Sequence, residues 1–494
     1  MIVLTKLFRM PRPRGTGRSI VRTMALTAGA VVLFGCHLLD VTNPDVVPAG
    51  LLNSAGALPT IRAGAIGDFG LAWVGSGASG SGGSVEGQVL ASGTLSDELM
   101  NTETFPDRVQ ADARQVDPAS GTFATVFQNL SRARASAEGA AAKFRQFSDT
   151  TANSGLTEML SLSGFTYVMF AENYCSGVPI SNFDPVQNKV IYGVPLNTAQ
   201  LLDTAINRFN QALIAAGALT SAGTKASFQQ MANVGLARAN LDLGNIGPAD
   251  AAAALVTTGY AYIMSFDKNT VRENNGIFAG TAFYKRYGIA DKKGIVGIPW
   301  RSSPDPRTTF YRDTVGGKAV NGLDGLTAQF NGFRYPERDA SVPLATGLEA
   351  RLINAEHSLS TGDTVTFMGT LNALRATIPS YIQAGTPAVK TVDQPLTAGS
   401  LAALTTPTSD TAAIDLLFNE RARWLWLTAH RLNDMRRLVR PIGTRGGYGF
   451  APNSVWPNGA YFKNGLVYGS DYNYPVPQLE QNNPNFTQCL DRLP

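Results

Sequence analysis

Residues able to do covalent or metal chemistry are scarce in this chain. Its 494 residues include three histidines (His37, His357, His430) and three cysteines (Cys36, Cys175, Cys489). The histidines lie far apart, and none sits in a ligand spacing such as H-E-x-x-H, so the sequence defines no zinc or iron site. A G-x-S-x-G nucleophile elbow and a G-x-x-x-x-G-K-[ST] phosphate loop are both missing. One G-x-G-x-x-G match, at Gly75, Gly77 and Gly80, runs on into more glycine and serine. No helix N-terminus follows it to take a phosphate, so 75–84 reads as a flexible loop. The 37 acidic residues offer many pairs, but nothing marks any pair for catalysis. The expectation is a protein that is not an enzyme and needs no cofactor.

Acidic residues are missing from one place in particular. Residues 1–35 hold six basic residues and no acidic ones. Without them, 41 Lys and Arg become 35 against 37 Asp and Glu, so the net charge falls from +4 to −2. The basic excess therefore belongs to a targeting segment, and no nucleic-acid partner is expected. That segment ends in an apolar run, TMALTAGAVVLFG at 23–35, followed by Cys36. The run is shorter than the roughly 20 residues a bilayer span needs, and it fits the core of a secretory signal. Leu33-Phe34-Gly35-Cys36 resembles a bacterial lipobox, with Phe34 in place of the commoner small or β-branched residue. Residues 1–35 are thus expected to be a lipoprotein signal peptide, with Cys36 the acylated residue. Acyl chains contribute about 0.8 kcal/mol per buried methylene, enough in combination to hold a soluble domain at a membrane. Cys175 and Cys489 remain. In an oxidising compartment they are the right number for one disulfide, and the polar tail around Cys489 needs an anchor; two separate thiols are the alternative.

Residues 36–53 read as a tether rich in turn formers, and 54–494 as the folded part. Helical spacing of apolar residues predicts helices over 55–74, 122–147, 156–173, 199–216, 227–243 and 248–265. Residues 85–120 look mixed and polar. Leu348, Leu352, Ala355 and Leu359 form one apolar stripe; Phe367, Leu371, Leu374 and Ile378 repeat it 19 residues later. Gly362 and Asp363 lie between them as a helix stop and an N-cap. This is a helical hairpin of tetratricopeptide size, without that repeat's Trp, Gly and Tyr consensus. Between about 270 and 345 Gly, Pro, aromatic and charged residues mix without a period, as in a long irregular insertion. A last long helix is expected over 411–439, with Ile414, Phe418, Leu425, Leu432, Met435 and Val439 on one face. Asp434 would then pair within it with His430, Arg431 and Arg437.

Long loops on a rigid scaffold are where binding usually sits. Trp300, Tyr311, Trp456, Tyr461 and Tyr468 all fall in such loops. Aromatic faces suit the C–H faces of sugar rings, so these are the candidate ligand-binding residues; packing of the loops onto the scaffold is the alternative.

Three segments together resemble the SusD/RagB family of outer-membrane nutrient-binding lipoproteins. The first is CHLLDVTNPDVV from Cys36. The second, FNERARWLWLTAHRLNDMRRL at 418–438, is similar to the family's E-R-x-x-E-L-x-x-E-G-x-R-x-x-D-L-x-R helix through Glu420, Arg421, Leu425, Arg431, Asp434 and Arg437. Trp424 stands where glutamate is frequent, and Ala429 falls within the stretch where the family has Glu-Gly. The third is YNYPVPQLEQNNPNF at 472–486, similar to Y-P-I-P-x-x-E-x-x-x-N-P-N. FTYVMFAENYCSGVPIS and LEARLINAEHSL also fall in family order. The resemblance implies a mainly α fold of divergent tetratricopeptide-like hairpins with long loop insertions. It implies a lipid anchor at the outer membrane, an oligosaccharide or other nutrient ligand, and a TonB-dependent, SusC-like transporter as partner. A lipid-anchored helical-repeat adaptor without a small ligand is the other reading.

Overall fold

Alanine- and leucine-rich stretches become helices here wherever a short polar residue caps their first turn. The computed structural model describes residues 52–78, 84–148, 153–184, 187–378, 401–486 and 488–494. The expected signal peptide, Cys36, His37, most of the tether and part of the Gly/Ser loop lie outside the described residues. Residues 54–494 form one unit. Its helices are α1 (Leu58–Val74), α2 (Gln88–Leu95), α3 (Pro106–Asp112), α4 (Gly121–Phe147), α5 (Ser154–Asn173) and α6 (Thr198–Gly217). They continue with α7 (Ala222–Leu243), α8 (Ile246–Ala254), α9 (Gly347–Ser360), α10 (Thr364–Thr377), α11 (Asp410–Trp424) and α12 (Arg431–Val439). Ser120, Asn153, Ser221, Thr346, Asp363 and Ser409 each accept a backbone N–H at a helix start, and Asn197 forms a full capping box with Gln200.

Consecutive helices pack on one another from α4 to α9, α1 lies on α4, and α9 carries both α10 and α11. The fold is therefore mainly α, built of packed helical pairs. Close approach at the α5–α6–α7 contact depends on glycine. Phe209 of α6 is seated so that a Cβ at Gly164 would lie 2.7 Å from its ring, and one at Gly235 only 2.2 Å. The 19-residue repeat becomes the α9–α10 hairpin, with Gly362 at φ 77° and Asp363 accepting from Thr366 N–H at 3.0 Å. No described helix is long and apolar enough to cross a membrane.

The structure departs from the expectation in three places. Helix α8 stops at Ala254, and Ala261–Met264 is a strand paired antiparallel with Val342–Thr346. The run Val256-Thr257-Thr258-Gly259 breaks the helix, and the residues after it suit a pleated surface. Residues 85–120 are not a polar surface stretch. They hold α2, which is buried along its whole length, and the strand Leu99–Asn101.

The expected helix over 411–439 is two helices. The chain turns at 425–430 with Leu427 at φ 55° and Ala429 at φ 69°. Leu427 N–H donates to the buried Glu98 carboxylate at 2.9 Å. Arg431 does not pair with Asp434 although both lie in α12, while Arg437 stays 3.9 Å from Asp434. Arg421 grips it through Nε at 3.0 Å and Nη2 at 2.8 Å, while Arg431 holds Asp97 at 2.7 and 2.9 Å. Arg437 reaches Glu356, and Glu420 accepts from Arg307 at 2.7 Å and from Arg375 at 2.9 Å. Each charge of this motif thus ties α11 or α12 to another element. Cys175 and Cys489 are joined by a disulfide with Cα atoms 5.9 Å apart, which fastens the tail to the end of α5.

Candidate functional site

The insertion between α8 and α9 carries the site, although mostly through rings other than those the sequence pointed to. Trp300 is 0% exposed: its Nε1–H donates to Asp97 O at 2.7 Å, and its ring stacks on Trp426 with centroids 6.1 Å apart. Trp456 is also 0% exposed, covered by the Arg114 guanidinium 4.7 Å from its centroid and met at its edge by Tyr472. Tyr461 is buried, and its hydroxyl donates to Asp112 Oδ2 at 2.6 Å. The sugar-platform expectation is corrected for these three. Their faces are already covered where the loops pack on the scaffold, and Trp300 and Tyr461 also spend their polar ends there, which leaves no face for a ligand. Tyr311 stays half-buried against Phe333, with centroids 4.8 Å apart, and Tyr468 is half-buried on the edge of Tyr461.

Two groups of rings do reach solvent. The first begins at Phe105, which precedes Pro106 and is therefore held extended, with φ −66° and ψ 123°. Its ring is 48% exposed and lies 5.1 Å from the Arg108 guanidinium. Arg108 donates to Glu86 at 2.6 Å and to Glu103 at 2.9 Å. Arg286 lies 3.8 and 3.9 Å from the same two carboxylates and covers Tyr284 at 4.6 Å. Burial pushes the Glu103 carboxyl above its ordinary pKa, while Arg108 and Arg286 oppose the rise. Tyr284 donates to Gly77 O at 2.9 Å and meets Phe283 edge-on; Phe283 is 51% exposed and lies 5.1 Å from Arg338. Aromatic rings and paired charges thus alternate from Phe105 to Arg338.

The second group rides on the antiparallel strands Phe310–Arg312 and Phe330–Gly332. Phe310 meets Phe330 edge-on at 6.0 Å, and Phe330 carries Arg301 at 4.1 Å and Arg312 at 5.2 Å. Arg312 is pinned, donating to Gln329 O at 2.9 Å and Asn321 Oδ1 at 3.1 Å. Lys285 pairs with Asp313 at 3.1 Å and Gln329 donates to Tyr287 O at 2.8 Å, so both groups share one connected set of strands. The repeating pattern F-Y-K-R-Y at 283–287 is the signal that could have found the first group; Phe105 in a polar stretch gives none.

Among the described residues, no cluster of His, Cys, Asp and Glu could hold a metal ion. His357 lies against Asp250, while His430 lies against Glu349. A separate cavity of about 620 Å³ lies between the α8–α9 connection, α9 and α10, lined by Arg351, three threonines and aliphatic residues without an aromatic ring.

Several solved structures share this architecture. A SusD/RagB family protein from Bacteroides thetaiotaomicron superposes with a TM-score of 0.58 at 12% identity, covering 86% of this chain and 94% of its own. A SusD-like carbohydrate binding protein from Bacteroides fragilis gives 0.58 at 13% identity, covering 88% and 99%. A SusD superfamily protein from Parabacteroides distasonis gives 0.56 at 13% identity, covering 88% and 98%. No protein-family model and no curated protein matches the sequence. This chain has the SusD/RagB fold.

Proposed function

We propose that this protein is a lipid-anchored outer-membrane protein of the SusD/RagB family that captures an oligosaccharide and hands it to a TonB-dependent, SusC-like transporter. The observation that carries the reading is the row of solvent-reaching rings and arginines that runs from Phe105 onto the insertion, set on a SusD/RagB scaffold. A sugar ring stacks its C–H face on such a ring while its hydroxyls bond to the flanking guanidinium and carboxylate groups. One solved relative with this fold is itself a SusD-like carbohydrate binding protein, which supports the ligand class. The apolar run before Cys36 supports the anchor. The hairpin Asn182–Asp184 and Lys189–Ile191 leaves Phe183 and Ile191 more than half exposed, an apolar patch that suits a protein partner. The ligand is held and released unchanged, since nothing in the row resembles a nucleophile set beside a base.

The test is a glycan array followed by calorimetry on the purified protein. Phe283→Ala should weaken capture of the best glycan by about tenfold or less, with an unchanged melting temperature, because the ring is exposed. Detergent extraction should bring a large barrel transporter down with the protein, and a fatty-acid label should appear on the wild type but not on Cys36→Ala. An array with no glycan bound, or measured turnover of a bound glycan, would refute the reading. Peptide capture by the ringless cavity at α9 and α10 would instead favour the adaptor.

A further inference from the structure

Charge is unevenly divided along the chain. Residues 270–345 hold 11 Lys and Arg against 7 Asp and Glu, a net +4. From Cys36 onward the chain nets −2, so everything outside the insertion nets −6. The basic charge is thus concentrated on the loops that bear the rings.

Three of the insertion's seven arginines pair with carboxylates, Arg272 with Asp68 among them. Arg286 lies beside Glu86 and Glu103, and Arg307 is held between Asp305 and Glu420. Arg312 and Arg334 donate to carbonyl oxygens instead, whereas the half-buried Arg301 does neither. Among the described residues its guanidinium has no hydrogen-bond acceptor and no ion pair, and its Nε is buried without a partner. The nearest acid, Asp291, spends Oδ1 on Arg301 N–H, Ser302 N–H and the Ser302 hydroxyl. Arg301 instead lies over Phe330 and shares that ring with a second cation, Arg312. Burial holds its pKa below the ordinary guanidinium value; Asp291 opposes this and Arg312 adds to it. A half-buried cation pair with no carboxylate in direct contact is stabilised when an anion joins it.

Building on the carbohydrate-capture reading, we infer that the site selects acidic saccharides, with Arg301 receiving a carboxylate or sulfate of the sugar beside the Phe330 and Phe310 rings. A guanidinium presents a planar fork that matches either group, and the rings bound the space in which the attached sugar can lie. Selectivity then follows from charge. A neutral sugar leaves the fork unpaired, whereas an acidic one satisfies it.

The test compares sugars that differ only in charge. An α-1,4-galacturonate tetramer and its methyl ester form one pair; a chondroitin sulfate tetrasaccharide and its desulfated, esterified form make the other. At least one acidic member should bind about tenfold more tightly than its neutral twin. That advantage should shrink as salt is raised from 0.05 to 0.5 M, screening lengths on the order of 10 Å falling to a few. Arg301→Ala should abolish the advantage with its melting temperature unchanged, and Arg301→Lys should restore part of it. If only neutral glycans bind, this inference fails while carbohydrate capture stands; if no glycan binds, both fail. An Arg301→Ala protein that loses stability but keeps the acidic preference would show that Arg301 merely covers Phe330, and would overturn the assignment.

Discussion

Asp97 and Glu98 are adjacent in the chain and both fully buried, yet their proton affinities diverge. Burial alone would raise both. Asp97 is held below its ordinary value by the Arg431 charge and its hydrogen bonds and by Ile298 N–H. Glu98 receives one backbone N–H, from Leu427, and burial pushes its pKa from 4.5 up to about 8. A folded-state pKa above the unfolded one means that the folded protein holds more protons between those two values. Its contribution to stability is therefore full below pH 4.5 and is lost as pH rises toward 8. Glu98→Gln keeps an acceptor for Leu427 and removes the titration. Denaturant unfolding at several pH values should show a gentler loss of stability for this variant between pH 5 and 8; parallel curves would refute the argument. Trp300 belongs to the same neighbourhood. Trp300→Ala should cost about 3–5 kcal/mol through the cavity left beside Trp426. Calorimetric unfolding reads this directly, and a nearly unchanged melting temperature would restore Trp300 as a candidate ligand residue.

At the level of elements, the break between α11 and α12 decides most pairings. A continuous helix would hold Arg421 and Asp434 roughly 20 Å apart; the turn at 425–430 folds α12 back so that Arg421 reaches Asp434 and Arg431 reaches Asp97 beyond the end of α2. Removing one partner of a buried pair leaves the other charge unpaid for by any solvent. Asp97→Ala should therefore cost about 3–5 kcal/mol, whereas an apolar double replacement, Asp97→Leu with Arg431→Met, should recover much of the loss. Urea midpoints of both variants check this, and a double variant as weak as the single one would contradict it. The α9–α10 hairpin was legible because its stripe spacing, stop and cap are local. Helix α2 was not, since its Gln88, Ser92 and Thr94 are polar residues buried by distant partners. Gln88, for instance, donates to Tyr174 at 3.2 Å.

For the whole molecule, the disulfide closes a separation of 314 residues and joins the tail to α5. The chain-entropy effect of so long a loop makes its loss cost roughly 2–5 kcal/mol. Cys489→Ser should unfold at lower temperature than the wild type, and reductant should lower the wild type's transition but not the variant's. A reductant effect of equal size on both would point to some other thiol-independent cause. The tail also packs onto the scaffold without the bond, as Cys175 N–H donates to Tyr474 O at 2.9 Å. The variant is therefore expected to fold and to keep its ligand preference.

What the sequence determined by itself was local or compositional. Helix spacing and caps specified most of α1, α4 to α7, α9 and α10, because side chains three and four apart share a face whatever the surroundings. The order of three short motifs pointed to the fold, and the charge count placed the basic excess in residues 1–35. Only the tertiary structure decided which aromatics face solvent. Trp300, Trp456 and Tyr461 fall in loops like Phe105, Phe283 and Phe330, and no periodicity separates them. The difference lies in whether a distant residue accepts from the ring's polar end, as Asp97 and Asp112 do, or covers its face, as Arg114 does. The same holds for Arg301, whose unpaired fork is visible only once every carboxylate near it has been assigned to another donor. Burial and pairing are sums over the whole chain, and a window of sequence cannot contain them.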